Sequence, residues 1–173
     1  MNLDWTILHW IQDTLVCPAL DFLMPKITAL GNFGIIWILA GAVLLCTKKY
    51  RRYGVQLLIG LALGFLTGNV ILKHAVARPR PCWLDTGVPL LIGVPKDYSF
   101  PSGHSAASFA AAVSIFVMHK KEGAAALILA CLIAFSRLYL FVHFPTDVLA
   151  GIAVGFICAF LACLLYTSPS PRD

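Results

Sequence analysis

Residues Tyr53 to Leu72 read YGVQLLIGLALGFLTGNVIL, twenty consecutive positions without a charged side chain. A helix rises about 1.5 Å per residue, so such a run is about 30 Å long, the thickness of a bilayer's hydrocarbon core. A barrel strand needs only about ten residues and alternates apolar with polar side chains, which this run does not. Within hydrocarbon only helices and closed barrels satisfy their own backbone polar groups. The stretch therefore reads as a membrane-crossing helix. The whole chain agrees: 60% of its 173 residues are hydrophobic, 12% are charged, and the mean hydropathy is +0.85. Ordinary soluble domains carry roughly a quarter charged residues.

Downstream, Lys73 to Phe100 holds Pro79, Pro81, Pro89 and Pro95 among mixed charges and reads as a long extramembrane loop. Ser105–Met118, Gly123–Phe135 and Val148–Tyr166 are further apolar runs. Upstream, Phe33–Cys46 is apolar and ends at Lys48, Lys49, Arg51 and Arg52. Leu20–Leu30 is shorter and contains Asp21, Pro25 and Lys26, so its crossing stays open; Gly31-Asn32 closes it with a turn. Asn2–Ala19 sets Trp5, Leu8, Ile11 and Leu15 against Asp4, Gln12 and Asp13, the pattern of an interfacial amphipathic helix. It lacks the basic start and continuous apolar stretch of a signal peptide. The expected fold is an all-α, polytopic membrane bundle of about six helices, N-terminal amphipathic and short helices followed by five apolar ones. Residues 1–166 are expected to form one domain. The polar, Pro/Ser-rich Thr167–Asp173 is expected to be a disordered or non-native tail.

A net charge of +5 and a pI near 9.0 invite a nucleic-acid partner. The basic residues instead gather at the ends of apolar runs, where the positive-inside rule places them, so no nucleic acid is expected. Lys48, Lys49, Arg51 and Arg52 share a side with Lys120 and Lys121, two crossings later. That side is then cytoplasmic, and the Lys73–Phe100 loop and the Arg137–Asp147 turn face away from the cytoplasm. Cys17, Cys46, Cys82, Cys131, Cys158 and Cys163 form no C-x-x-C pair, so they indicate neither zinc nor a redox motif; a partner for Cys82 stays open.

This parity brings three polar clusters to one membrane face: Lys73 with Arg80-Pro81, then Pro101-Ser102-Gly103-His104, then Ser136-Arg137 with His143 and Asp147. Ionisable residues at membrane depth are expensive and signal function. Lys73, Arg80 and Arg137 offer three cations, two with guanidinium forks that match phosphate oxygens. Ser102-Gly103-His104 stands where a helix begins, a natural anion site, and Gly103 lets backbone approach a ligand. His104 at its edge can donate a proton. Pro145 suits a first helical turn, which places Asp147 close to His143. A carboxylate there can hold one imidazole nitrogen and leave the other free to attack. The carboxylates are too few for a magnesium pair, so neither metal nor cofactor is expected. Phosphoryl transfer through a phosphohistidine fits this inventory.

The three clusters resemble the signature of the type 2 phosphatidic acid phosphatase superfamily, the integral-membrane lipid phosphate phosphatases. That pattern is Lys-x6-Arg-Pro, then Pro-Ser-Gly-His, then Ser-Arg-x5-His-x3-Asp, and each defined position matches between Lys73 and Asp147. The resemblance implies His143 as nucleophile, Asp147 as its orienting partner, and His104 as the acid that protonates the leaving oxygen and then activates water. It implies Lys73, Arg80, Ser102, Gly103 and Arg137 as the phosphate cradle. It implies a lipid phosphate substrate, with undecaprenyl pyrophosphate placed ahead of phosphatidic acid and phosphatidylglycerophosphate. The oligomeric state stays open.

Each residue also has a plainer reading. Lys73 alone would be a snorkelling residue, but its spacing to Arg80-Pro81 outweighs that. Arg78, outside the pattern, reads as an interfacial charge, the sharper alternative being a contact to a second phosphate or headgroup. Asp85 and Asp97 read as loop solvation, with gating of the pocket as alternative. His74 reads as a loop-edge residue, His9 and His119 as surface or interfacial, and Trp83 and Tyr98 as interfacial aromatics. Among whole-protein alternatives, a non-catalytic lipid-phosphate binder or transporter need not keep His143, Asp147 and His104 together. A soluble vanadate-dependent haloperoxidase is disfavoured by the apolar spans.

Overall fold

The computed structural model describes residues 3–167, and all their regular elements are helical. The expected polar tail lies, from residue 168 on, outside the described residues. The amphipathic stretch stops at α1 (Leu3–Leu15), short of the expected Ala19, and α2 (Pro18–Leu30) starts anew. Pro18 causes the break: the residue before it, Cys17, is forced into extended backbone at φ −155° and ψ 157°. Proline then suits the first turn, where its missing N–H is not needed.

After a 3-10 turn, Asn32–Gly34, α3 (Ile35–Cys46) continues at a bend of 42°. Phe33 (φ 53°) and Gly34 (φ 67°) make this bend in the left-handed region, which glycine enters freely and phenylalanine does not. Together α2 and α3 are long and apolar enough for one crossing. α2 runs down beside α8 (Lys120–Tyr139), its Asp21 meeting Tyr139 and its Thr28 meeting Arg137. Leu20–Leu30 is thus the first arm of a bent helix pair.

α4 (Arg51–Gly64) continues through a π-wound stretch, Phe65–Leu72, into α5 (Lys73–Val76). Lys73 therefore sits on a helix, and the expected loop begins later, at Ala77, which turns left-handed (φ 48°) ahead of Pro79. A lysine can end its stem at the interface without ending its helix. α6 (Pro81–Leu84) is one turn inside that loop, and α7 (Gly103–Met118) follows. α8 is longer than the expected Gly123–Phe135 at both ends, so Ser136 and Arg137 are helical, and only residues 140–144 separate it from α9 (Pro145–Thr167).

α7 is the hub, packed against α8, α9 and α4. Its Ala110, Ala111 and Ala112 are fully buried. Small residues let helices approach closely in a membrane, and α9 supplies two. A Cβ on Gly151 would stand 2.5 Å from the Ser102 carbonyl oxygen, and one on Gly155 2.7 Å from that of Ala106. The two basic turns adjoin at one end, where the Tyr50 and His119 rings meet edge to face at 5.2 Å. At the opposite end α1 lies over the 140–144 turn, burying Leu8 and Ile11 against Leu140, Phe141 and Phe144. The three polar clusters gather beneath it.

Candidate active site

His143 belongs to the short turn between α8 and α9 and is 1% exposed. Arg80 Nη1 lies 3.1 Å from its Nε2. A guanidinium only donates, so Nε2 is the accepting, unprotonated nitrogen and Nδ1 carries the hydrogen. On the Nδ1 side Ser99 Oγ lies at 3.4 Å and Asp147 Oδ2 at 3.7 Å. The carboxylate thus attracts the Nδ1–H without the direct hydrogen bond expected from the spacing, which 3.7 Å is too long to be. Ser99 Oγ fills the gap and donates to Asp147 Oδ2 at 2.5 Å. Burial first, then the charges of Arg80, Arg137 and Lys73, hold His143 well below the ordinary histidine range. At neutral pH it is a neutral imidazole with a bare Nε2.

Asp147 earns its place from helix geometry. It is the third residue of α9, where a carboxylate reaches back to the backbone N–H just before the helix, here Phe144 N at 2.8 Å. Its Oδ1 accepts from Arg78 Nη1 at 2.7 Å. Arg78 also donates to Asp4 Oδ2 of α1 (2.7 Å) and to Thr146 Oγ1 (2.7 Å). This corrects the reading of Arg78 as an interfacial charge: it ties the His143 partner to the N-terminal helix.

The cations converge as the spacing implies. Arg80, 2% exposed, donates to the carbonyls of Val142 and Asp97 and to Asp97 Oδ1. Lys73 Nζ bonds the other Asp97 oxygen. Asp97 is therefore solvated, as a loop residue is, and at the same time the counter-ion of Lys73 and Arg80. Burial works against its charge, but the Lys73 hydrogen bond and the nearby Arg80 prevail and pull its carboxyl down to about 2. Arg137, 4% exposed, donates to Thr28 Oγ1 at 2.6 Å, while its buried Nε has no hydrogen-bond partner among the described residues.

Ser102 caps α7, its hydroxyl accepting from Ser105 N (3.4 Å) and Ser105 Oγ (3.0 Å). Its side chain is thereby committed to the cap, while Gly103 and His104 line the cavity beyond it. His104 Nε2 lies 3.0 Å from Asn32 Oδ1. The cavity is about 1350 Å³; Lys73, Arg80, His104, Arg137 and His143 form its polar part, and Ile38, Leu58, Leu61 and Phe65 extend it between α3 and α4.

Seven of the eight expected residues thus stand around one cavity or directly behind His143, and Ser102 stands in the helix cap beside it. Sequence reasoning missed Arg78, Asp97, Ser99, Asn32 and Asp4. Among the described residues no group of three or more His, Cys, Asp or Glu is arranged to hold a metal ion. Other residues follow their sequence readings only loosely. His9 pairs with Asp85 at 3.2 Å, and Trp83 anchors the loop by donating to Pro95 O at 3.0 Å. Cys82 is buried and free.

An integral-membrane helical bundle with a histidine–carboxylate pair beneath three cations is a class of protein built to hold an anion at one membrane face. The chain belongs to the PAP2 superfamily, whose sequence model matches residues 53–169. It is 35% identical over 128 residues to an undecaprenyl-diphosphatase of Sulfolobus acidocaldarius, covering 73% of this chain and 62% of that protein's length. It is 34% identical over 156 residues to phosphatidylglycerophosphatase B of Bacillus subtilis, covering 83% and 74% of the two chains. The crystal structure of Aquifex aeolicus LpxE superposes with a TM-score of 0.83 at 28% identity, covering 95% of this chain and 96% of that one.

Proposed function

We propose that the protein is a membrane phosphatase that hydrolyses a lipid phosphate monoester or pyrophosphate through a phosphohistidine, with its site facing away from the cytoplasm. The observation that carries this reading is the bare Nε2 of His143 in a cavity wall, beside Arg80 and backed on Nδ1 by Ser99 and Asp147. Lys73, Arg80, Arg137 and the free N–H groups at the start of α7 hold the phosphate oxygens and balance the charge that builds in the transition state. Nε2 attacks phosphorus, the bond to the leaving oxygen breaks, and His104 gives that oxygen a proton. A water then gives its proton to His104 and its oxygen to phosphorus, the P–N bond breaks, and inorganic phosphate leaves. Three fixed cations supply the charge compensation, so no step needs a metal.

The apolar reach of the cavity between α3 and α4 favours a substrate whose phosphate is carried on a long hydrocarbon chain. Undecaprenyl pyrophosphate is the first substrate to test, on the strength of the archaeal relative; phosphatidic acid and phosphatidylglycerophosphate are the alternatives, the latter supported by the Bacillus relative. Residues 1–166 act as one unit in this reading, because side chains behind the site come from α1, α2, α7, α8 and α9.

The test is phosphate release by the purified chain in detergent with excess chelator. His143→Ala is expected to fall to background, whereas His104→Ala keeps a trace, because acid–base help is worth roughly 10² to 10⁴ in rate. Substantial turnover by His143→Ala would overturn the nucleophile, and loss of wild-type activity on chelation would overturn the metal-free mechanism. Comparing a pyrophosphate with a monophosphate lipid ranks the substrates.

A further inference from the structure

We infer that Asn32, at the break between α2 and α3, is a positioning residue that fixes which nitrogen of His104 exchanges its proton with substrate. The inference rests on the acid–base role proposed for His104. Asn32 lies outside the stretch matched by the family, and its side chain is aimed at His104 by a backbone found nowhere else in the span. Phe33 and Gly34 are both left-handed, so the turn carrying Asn32 is held in a conformation that costs energy at Phe33.

The contact is specific in geometry. Asn32 Oδ1 is 3.0 Å from His104 Nε2, and an amide oxygen only accepts, so Nε2 carries a hydrogen. The adjacent ring carbon is seated as well: a Cβ on Gly31 would come within 2.8 Å of His104 Cδ2 and 2.9 Å of Ile133 Cγ2. The Nε2–Cδ2 edge of the ring therefore rests against the α2–α3 break, and Gly31 is the residue that leaves room for it. The opposite edge carries Nδ1, which has no hydrogen-bond partner among the described residues, and His104 lines the cavity.

The bond one ring nitrogen makes decides what the other can do. With Nε2–H held by Asn32, neutral His104 presents a bare Nδ1, the form that accepts a proton from water. Protonated His104 presents Nδ1–H, the form that donates to the leaving oxygen. Asn32 keeps its hydrogen bond in both states, so the proton moves at one nitrogen and the ring does not turn between the half-reactions. Without Asn32, Nε2 and Nδ1 compete for the proton and the ring is free to rotate.

The test uses the purified full chain, a lipid phosphate monoester, and p-nitrophenyl phosphate, whose leaving group needs no proton. Asn32→Leu is expected to lower lipid phosphate turnover about 10- to 100-fold, part of the roughly 10² to 10⁴ that acid–base help supplies. With p-nitrophenyl phosphate it is expected to keep a near-normal first burst, because phosphohistidine forms without the acid, followed by slow steady turnover, because water activation is impaired. Asn32→Asp, which keeps an accepting oxygen in place, is expected to retain most of the turnover. Asn32→Leu added to His104→Ala is expected to cost less than about twofold more, since coupled residues are not additive.

Loss of the burst in step with lipid turnover, a full further loss in the His104→Ala background, wild-type rates for Asn32→Leu, or Asn32→Asp as poor as Asn32→Leu would each overturn the inference alone. Wild-type turnover by His104→Ala would overturn the acid–base reading and this inference with it.

Discussion

Arg78 shows how a side chain can matter without touching the cavity. Its guanidinium spans two carboxylates, Asp4 and Asp147, each at 2.7 Å, a geometry that one ammonium group cannot reproduce. Arg78→Lys is therefore expected to lower kcat about tenfold with KM almost unchanged, because Asp147 loses one of its fixed donors while the phosphate cradle stays intact. A KM rise of similar size would show instead that Arg78 binds substrate. Asp97 predicts the opposite kind of change. It occupies Lys73 and Arg80, two of the cations proposed to hold phosphate, so Asp97→Asn is expected to tighten inhibition by vanadate several-fold, read from the inhibition constant. The sign of its pH effect follows from its depressed value. Its ion pairs are fully present above the ordinary aspartate range near 4 and are lost as pH falls through about 2. Acid therefore loosens the loop, and neutral pH holds it. Lys73, Arg80, His104, Arg137, His143 and Asp147 were legible because their spacing is short-range and patterned. Arg78, Asp97, Ser99 and Asn32 were not, because each takes its meaning from a partner brought close only by the fold: Arg78 meets a residue 69 positions away and Asn32 one 72 away.

At the scale of elements, charge and hydropathy revealed which stretches are helical, and local backbone chemistry decided where they end. Lys73 and Ser136-Arg137 looked like loop because they are polar. They lie on helices because a helix end tolerates charge where a helix middle in lipid does not. Pro18 carried a readable signal for the α1–α2 break, whereas the left-handed turn at Phe33 carried none, since phenylalanine is a poor candidate for that conformation. Helix contacts were less legible still. The close approach of α9 to α7 depends on Gly151, where a methyl group would meet the Ser102 carbonyl oxygen at 2.5 Å and Ser105 Cβ at 3.0 Å. A backbone atom cannot rotate aside, so Gly151→Ala forces α9 away from the cap of α7. The expected cost is about 1–3 kcal/mol, as for overpacking in general, seen as a lower midpoint of thermal unfolding in detergent together with reduced activity. Gly64→Ala is the matched control. It lies in α4 on the cavity wall with nothing within 4 Å of the added carbon, so its unfolding midpoint, the readout compared, is expected to be unchanged or slightly raised, as for helical Gly→Ala when space allows. Equal falls in the unfolding midpoint of both variants would mean that the α7–α9 contact is not special.

At the scale of the molecule, the two ends of the bundle differ in kind. One carries the turn with Lys48, Lys49, Arg51 and Arg52 beside the turn that precedes Lys120 and Lys121, joined by the Tyr50–His119 contact. The other carries the polar part of the cavity, with α1 lying over the adjoining 140–144 turn. Crossing parity foretold that these basic turns would share an end, and it succeeded because it counts only spans and signs. It needed no knowledge of α2 and α3, which precede the first basic turn and do not enter the count between the two. The direction proposed for the molecule in its membrane rests on one physical bias, that Lys and Arg in short connections stay in the cytoplasm. In a variant whose native cysteines are replaced, a cysteine at Thr86, exposed in the loop on the cavity side, is expected to react with a membrane-impermeant maleimide in intact cells. A cysteine at Thr47, exposed in the basic turn, is expected to react only after the cells are permeabilised. The reverse pattern would put the cavity on the cytoplasmic side and limit its substrates to lipid phosphates of the inner leaflet. The chemistry proposed at His143 would be the same, but the pool of lipid it serves would not.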